Sequence, residues 1–117
     1  MARLSTHVLD TARGQAAANM KVELYRLENG HRAHCLTART NADGRTDSPL
    51  LTGDRIPTGR YEITFAAGEY FRALGVPLTD PPFLDEIVVR FGIADAAANY
   101  HVPLLVSPYG YSTYKGT

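Results

Sequence analysis

The feature that most constrains the fold is a series of short runs in which apolar and polar residues alternate, separated by turn residues at fairly regular spacing. Successive side chains of a β-strand point to opposite faces, so this alternation predicts strands that bury one face in a core. The run from Arg60 to Ala66 is typical, because its large apolar residues, Tyr61, Ile63 and Phe65, fall only at odd positions. Short strands joined by frequent turns are typical of a sandwich or a barrel.

We predict about seven or eight strands and a single short helix. The alternating runs are Leu4–Leu9, Met20–Leu27, Ala33–Thr40, Arg60–Ala66, Glu86–Ile93, Tyr100–Val106 and Tyr111–Tyr114. The helix is expected over Glu69–Leu74, between two glycines. These elements favour an all-β sandwich of two sheets. A chain of 117 residues fits one domain, residues 1–117.

Composition and charge argue against several classes of protein. Basic and acidic residues are equal at 12 each and are scattered, whereas a nucleic-acid binder normally shows a basic excess or stripe. No run approaches the roughly 18 apolar residues of a membrane span. The residues from Met1 to Asp10 lack the basic start and apolar run of a signal peptide. We therefore expect a cytoplasmic protein that binds neither nucleic acid nor membrane.

Two of the predicted strands carry histidines on the face that points away from the core. In the run Tyr100–Val106 the even positions face inward, which leaves His101, Pro103 and Leu105 on the outer face. Proline and leucine are poor choices for a solvated surface, so we expect another subunit to cover this face. The same rule places His7 on the outer face of the first predicted strand.

His7, His101 and Arg45 are the strongest candidates for chemistry. The two histidines lie among apolar neighbours, and each is either a hydrogen-bonded structural residue or an acid–base group that titrates near neutral pH. Arg45 follows the turn at Asp43-Gly44, and its planar fork of donors suits an anionic or carbonyl-rich ligand. A solvated turn residue is the alternative for this arginine.

The remaining candidates carry weaker signals. His31 and His34 lie in or near a polar turn and are expected to be exposed. Cys35 is the only cysteine, so the chain can form no internal disulfide, and a small buried side chain is expected here rather than a nucleophile. No His-x-x-x-His spacing, phosphate-binding glycine loop or nucleophile elbow occurs, so we expect no metal site.

Three separated motifs give the chain a specific likeness. They are the opening Leu4–Asp10 (LSTHVLD), the central turn Thr40–Arg45 (TNADGR) and a closing segment from Tyr100 to Tyr114. Together they resemble the signatures of the 5-hydroxyisourate hydrolases of the transthyretin-like family, in the family's order and over essentially the whole chain. The resemblance implies a transthyretin-like sandwich of two four-stranded sheets. It also implies a homotetramer, with active sites in a channel between subunits.

The resemblance further implies which residues act. The functional histidine of the opening motif corresponds to His7, the arginine after the central turn to Arg45, and the histidine of the C-terminal strand to His101. The closing Tyr-Arg-Gly-Ser of the family corresponds to Tyr114, Lys115, Gly116 and Thr117. Thr117 keeps the hydroxyl of the serine, whereas Lys115 keeps a positive charge without the guanidinium fork.

The implied roles divide these residues into two overlapping sets. The implied catalytic residues are His7, Arg45, His101 and Thr117. The implied substrate-binding residues are His7, Arg45, Tyr114, Lys115 and Gly116.

The implied reaction is the addition of water to the ring amide carbonyl of 5-hydroxyisourate. The N1–C6 bond is cleaved to give 2-oxo-4-hydroxy-4-carboxy-5-ureidoimidazoline, a step of urate degradation, without a metal or organic cofactor. Such a reaction needs a positioned water, a base, and stabilisation of negative charge on oxygen. The alternative is a non-catalytic carrier like transthyretin, which would replace the polar constellation by apolar channel walls.

Overall fold

The chain folds as two β-sheets and one short helix in a computed structural model that describes every residue from Met1 to Thr117. In chain order the elements are β1 (Ala2–Asp10), β2 (Gln15–Ala16), β3 (Lys21–Glu28), β4 (His31–Arg39), β5 (Leu51–Gly53), β6 (Gly59–Ala66), α1 (Ala67–Ala73), β7 (Glu86–Ile93), β8 (Asn99–Ser107) and β9 (Gly110–Thr113). One sheet has the order β2-β1-β8-β9, with β5 also paired to β1, and the other has the order β4-β3-β6-β7. None of the helical structure is both long and apolar enough to cross a bilayer.

The predicted sandwich of two sheets with one short helix is confirmed, but one sheet has five strands rather than four. Both β2 and β5 pair with β1, whose other edge is occupied by β8. They share a single edge of β1, with β5 along Ala2–Leu4 and β2 along Leu9–Asp10, so the sheet is nowhere more than four strands wide. Strands of two and three residues carry too little alternation to be recognised from sequence.

The core lies between the sheets, on the faces that the alternation predicts. It is a cluster of 21 buried apolar residues. The residues that β1, β6 and β8 contribute to it include Leu4, Val8, Tyr61, Ile63, Phe65, Tyr100, Val102, Leu104 and Val106. Helix α1 begins two residues before the predicted Glu69–Leu74 and adds Tyr70 and Phe71.

A buried carboxylate ties the end of β1 to this helix. Asp10 is fully buried, and its Oδ2 accepts hydrogen bonds from the hydroxyl of Tyr70 at 2.8 Å and from Nε of Arg13 at 3.0 Å. The backbone amides of Ala12 and Arg13 donate to Oδ1. Burial alone raises the pKa of Asp10, but these hydrogen bonds outweigh it and leave the pKa below its ordinary value. The carboxylate therefore fixes the C-terminal end of the strand that carries His7.

The parallel pairing of β1 with β8 brings the two ends of the chain together. The register runs from Arg3 opposite Asn99 to Asp10 opposite Val106. Side chains of directly opposite residues point to the same face, so Ser5 and His101 are neighbours although they are 96 positions apart in the chain.

The edge strand β4 corrects one prediction and confirms two others. Cys35 is exposed, so the prediction of a buried cysteine was wrong. Leu36 pairs with Leu24 and His34 with Tyr25, which leaves Cys35 as the extra residue of a β-bulge. His31 and His34 are exposed, as predicted.

Candidate active site

The turn that carries Arg45 docks on the stretch of β1 left free between β5 and β2. The amide of Val8 donates to the carbonyl of Gly44 at 2.8 Å, and His7 pairs with Arg45 as an isolated antiparallel bridge. The side-chain oxygen of Asn41 accepts from the amide of Arg45 at 3.2 Å and closes the turn. Arg45, at the end of the turn, therefore lies directly beside His7.

Glycine is required at the contact between this turn and β1. Gly44 has a φ of +76°, in the left-handed region that glycine adopts without steric cost. A Cβ at this position would clash with the carbonyl oxygen of Val8. No side chain fits there unless the turn moves away from the strand.

His7 is held by the same turn. Its Nε2 lies 2.8 Å from the carbonyl oxygen of Asp43. A carbonyl oxygen can only accept, so Nε2 carries the hydrogen and donates. The lone pair of the neutral ring is therefore on Nδ1, which makes no hydrogen bond within the chain.

His101 is half-buried on the outer face of β8, as predicted, and its Nδ1 lies 2.8 Å from Oγ of Ser5. Burial lowers the pKa of His101, and the positive charge of the nearby Arg45 lowers it further. The neutral ring is therefore favoured at neutral pH, because a histidine with an ordinary pKa of about 6.5 is already mostly neutral there.

The C-terminal residues run along β8 beyond the point where β9 ends. The amide of Gly116 donates to the carbonyl of His101 at 2.8 Å. A Cβ on Gly116 would lie 2.6 Å from Cδ2 of the His101 ring, so the tail backbone packs directly on the imidazole. Nζ of Lys115 lies 5.3 Å from the centroid of the Tyr100 ring, a cation–π contact that holds the lysine to β8.

These elements surround a polar depression of about 310 Å³. Its lining residues are Arg3, Ser5, Arg45, Asn99, Tyr100, His101 and Thr117. Two of them are arginines and none is an acidic residue, so the depression favours negative charge. No group of three or more histidine, cysteine, aspartate or glutamate side chains that could hold a metal ion comes together in the structure.

The structure places the expected site residues in two neighbouring regions. Arg45, His101 and Thr117 line the polar depression, with His7 beside Arg45 and Gly116 against the His101 ring. Tyr114 and Lys115 instead line a mostly apolar depression of about 370 Å³, which His101 also lines.

The sequence analysis missed Arg3, Ser5 and Asn99. The signal was present in β1, because Arg3 and Ser5 fall at alternate positions on the same outer face as His7. The same alternation applies on β8, where Asn99 falls two positions before His101 on the outer face, and the fold adds that Asn99 lies opposite Arg3.

The sequence of this chain is similar to those of known proteins over nearly its whole length, and its fold is similar to solved structures. A family model described as the HIUase/Transthyretin family matches residues 4–116. The chain belongs to this family. The membership accounts for the sandwich, whose two sheets and single helix are those expected from the three motifs.

Individual members of the HIUase/Transthyretin family are similar over almost their full lengths. A protein named 5-hydroxyisourate hydrolase 2, from Rhizobium meliloti, is 58% identical over 98% of this chain and 96% of its own length. The solved 5-hydroxyisourate hydrolase of Klebsiella pneumoniae superposes with a TM-score of 0.82 at 32% identity, covering 100% of both chains. Sea bream transthyretin, solved in complex with thyroxine, gives a TM-score of 0.86 at 25% identity over 98% of this chain and 95% of its own.

Replacing Gly44 by alanine tests the docking of the turn on β1. Gly75→Ala is the matched control, since Gly75 has a similar φ of +81° but a Cβ added there would meet nothing within 4 Å. Both variants incur the strain of a left-handed alanine, about 1–2 kcal/mol, and only Gly44→Ala adds a clash. We expect Gly44→Ala to lower the free energy of unfolding in urea by at least about 1 kcal/mol more than the control. Equal losses in the two variants would contradict the docking contact.

Proposed function

We propose that this protein hydrolyses 5-hydroxyisourate to 2-oxo-4-hydroxy-4-carboxy-5-ureidoimidazoline, a step of urate degradation. One observation carries the proposal. His101, Arg45 and Thr117 converge on a single polar depression, with His7 alongside, although they come from distant parts of the chain. The similarity to proteins named 5-hydroxyisourate hydrolase, which reaches 58% identity over nearly the full length, supports the same substrate.

In this proposal His101 is the general base. As a base it takes the tautomer in which Nδ1–H donates to Oγ of Ser5, which leaves the lone pair on Nε2. The lowered pKa keeps this ring unprotonated at neutral pH. Nε2 removes a proton from a water, whose oxygen attacks the C6 carbonyl of the substrate. Ser5 is a positioning residue, because it acts through the imidazole.

The two arginines of the depression stabilise the charge that the attack creates. As water adds to C6, the carbonyl oxygen becomes an oxyanion, and fixed cations lower the energy of that state. Arg45 lies in the docked turn, and Arg3 lines the same depression from β1. When the N1–C6 bond breaks, N1 takes the proton held by His101, and the carboxyl group formed at C6 is left beside the two guanidinium groups.

The other residues orient the substrate. His7 presents the free lone pair of Nδ1 while Asp43 holds its other nitrogen, so it can accept a hydrogen bond from a ring N–H. Thr117 supplies a hydroxyl to the depression. Tyr114, Lys115 and Gly116 position the tail, and Tyr114 can pack against a substrate ring from the neighbouring depression.

We also propose that four copies assemble and complete the sites between them. The outer face of the sheet that carries His101 has an apolar pair at its centre, because Leu9 on β1 lies opposite Leu105 on β8 and both are only half-buried. Pro103 is already buried within one chain, so the need for a covering subunit rests on the other residues. A sheet face of this kind is normally covered by another copy.

Alanine substitution of each outer-face histidine tests the catalytic proposal. A general base contributes typically about 10²–10⁴-fold, so His101→Ala should lower kcat by that range. His7→Ala should raise KM and lower kcat less, since His7 orients the substrate. The measurement is the ultraviolet decay of freshly prepared 5-hydroxyisourate, with His31→Ala, an exposed histidine on β4, as the control. Wild-type turnover in both variants would refute the site.

The same assay separates the hydrolase from a transthyretin-type carrier. A carrier would bind a hydrophobic ligand without accelerating the decay. The polar lining of the depression, in which Tyr100 is the only hydrophobic residue, favours the hydrolase.

The pH dependence of kcat/KM tests the assignment of His101. The base must be neutral, so the rate should fall on the acid side with an apparent pKa below the ordinary value for histidine. The positive charge of Arg45 contributes to that lowering, so Arg45→Gln should raise the pKa and move the acid limb to higher pH. Arg39→Gln, which removes an exposed arginine paired with Glu69, should leave it in place. An unmoved acid limb in Arg45→Gln would contradict the assignment.

Sedimentation equilibrium tests the assembly. We expect a mass four times that of the 12.8 kDa chain. Leu105→Glu puts a charge into the face that we propose is covered, and should both dissociate the assembly and lower activity. Leu74→Glu, at an exposed leucine after the helix, is the control. A fully active monomer would show that one chain completes its own site.

A further inference from the structure

A second group of arginines lies on the outer face of the four-stranded sheet. It borders a depression of about 400 Å³, here called the arginine groove. The lining residues are Leu27, Asn29, Gly30, Arg32, Arg60, Glu62 and Arg90. None of them lines the polar depression at His101, which belongs to the other sheet.

The strand register explains why these side chains meet. Leu27 on β3 lies opposite Arg32 on β4 and opposite Arg60 on β6. Opposite residues share a face, so the two arginines flank the leucine. Arg60 in turn lies opposite Gly92 on β7. Because Gly92 has no side chain, the surface beside Arg60 is open.

The positive charges of the groove are only partly compensated. Glu62 is the one acidic lining residue, and its side chain is 5% exposed. It accepts a hydrogen bond from Arg90 at 3.0 Å, and Arg32 lies 3.9 Å from its other oxygen. Arg60 makes no ion pair. Glu28, at the end of β3, is engaged by Arg26 at 3.1 Å. Three guanidinium groups and one carboxylate leave two formal positive charges.

The cations are also held in place before any ligand arrives. The guanidinium carbon of Arg32 lies 4.2 Å from the centroid of the Tyr25 ring, and Glu62 anchors both Arg32 and Arg90. Ordering long side chains costs conformational entropy when a ligand binds. Here that cost is smaller, because Arg32 and Arg90 are already ordered by contacts within the chain. Arg60 makes no side-chain hydrogen bond, so its full fork of donors is available.

We propose that the arginine groove binds a small dianion of the phosphate class, either inorganic phosphate or a phosphate monoester. A dianion matches the two uncompensated charges, and guanidinium forks bind phosphate oxygens through paired hydrogen bonds. A volume of about 400 Å³ is within the range of small-molecule sites. The arginine groove shares Arg90 with the apolar depression beside Tyr114 but shares no lining residue with the polar depression at His101, so this binding does not depend on the proposed hydrolysis.

Isothermal titration with inorganic phosphate at about pH 8, where the dianion dominates, tests the proposal. Arg60→Gln removes a guanidinium that has no partner in the chain, so the fold should be retained, and circular dichroism checks this. Arg55→Gln is the matched control, since Arg55 is likewise exposed and makes no ion pair. We expect Arg60→Gln to weaken phosphate binding at least about tenfold, which corresponds to ~1.4 kcal/mol, while Arg55→Gln binds as the wild type does.

Two further arms complete the test. Arg45→Gln should keep phosphate binding; loss of binding there instead of in Arg60→Gln would place the anion beside His101 and overturn the proposal. Titration with glucose 6-phosphate distinguishes the two forms of ligand, because tighter binding than inorganic phosphate indicates a monoester. A wild-type protein that binds neither probe, or equal weakening by Arg60→Gln and Arg55→Gln, would also overturn it.

Discussion

The parallel pairing of β1 with β8 is the interaction on which the rest of the site depends. It places Ser5 opposite His101 and sets a register that runs for the whole length of β1 from Arg3 onward. A buried hydrogen bond of 2.6 Å from the hydroxyl of Thr6 to the carbonyl of Val102 reinforces this register from the core side. A shift by one residue would exchange the two faces of a strand, so the hydrophobic core that fixes the register also fixes which side chains face each other outside it. The core and the candidate site therefore lie on opposite faces of the same pair of strands, β1 and β8.

The outer face of this sheet is positively charged around the candidate site. Arg3 and Arg45 line the depression without any acidic residue to neutralise them. Such an arrangement disfavours a protonated imidazole and favours an oxyanion, which are the two requirements of a base-assisted attack on an amide. The same two arginines therefore keep the base neutral and stabilise the oxyanion in the proposed reaction. On the opposite sheet the arginines surround the buried Glu62, whose single charge leaves that surface open to an external anion.

Two glycines permit the close approaches that the site requires. Gly44 lets the central turn reach the edge of β1, and Gly116 lets the tail backbone lie on the His101 ring. At both positions a Cβ would come within 3 Å of an atom from a distant part of the chain. The sequence motifs contain these glycines, but only the fold reveals what they contact. Gly44 serves its turn through a positive φ, whereas Gly116 is needed purely for space.

Alternation with a period of two is a local property of the chain, so it was enough to predict the longer strands, their inward faces and the outward placement of His7 and His101. The sequence motifs also indicated Arg45 and the tail, through resemblance to a family. Which outward side chains meet is seen only in the fold: the pairing of β1 with β8 brings Arg3 and Ser5 to Asn99 and His101, while Tyr114 and Lys115 line a neighbouring depression. The fold also decided the exposure of Cys35, through a bulge in a pairing that the local pattern does not encode. Pairing between distant strands is chosen by the packing of the whole core, so no short stretch of sequence carries that information.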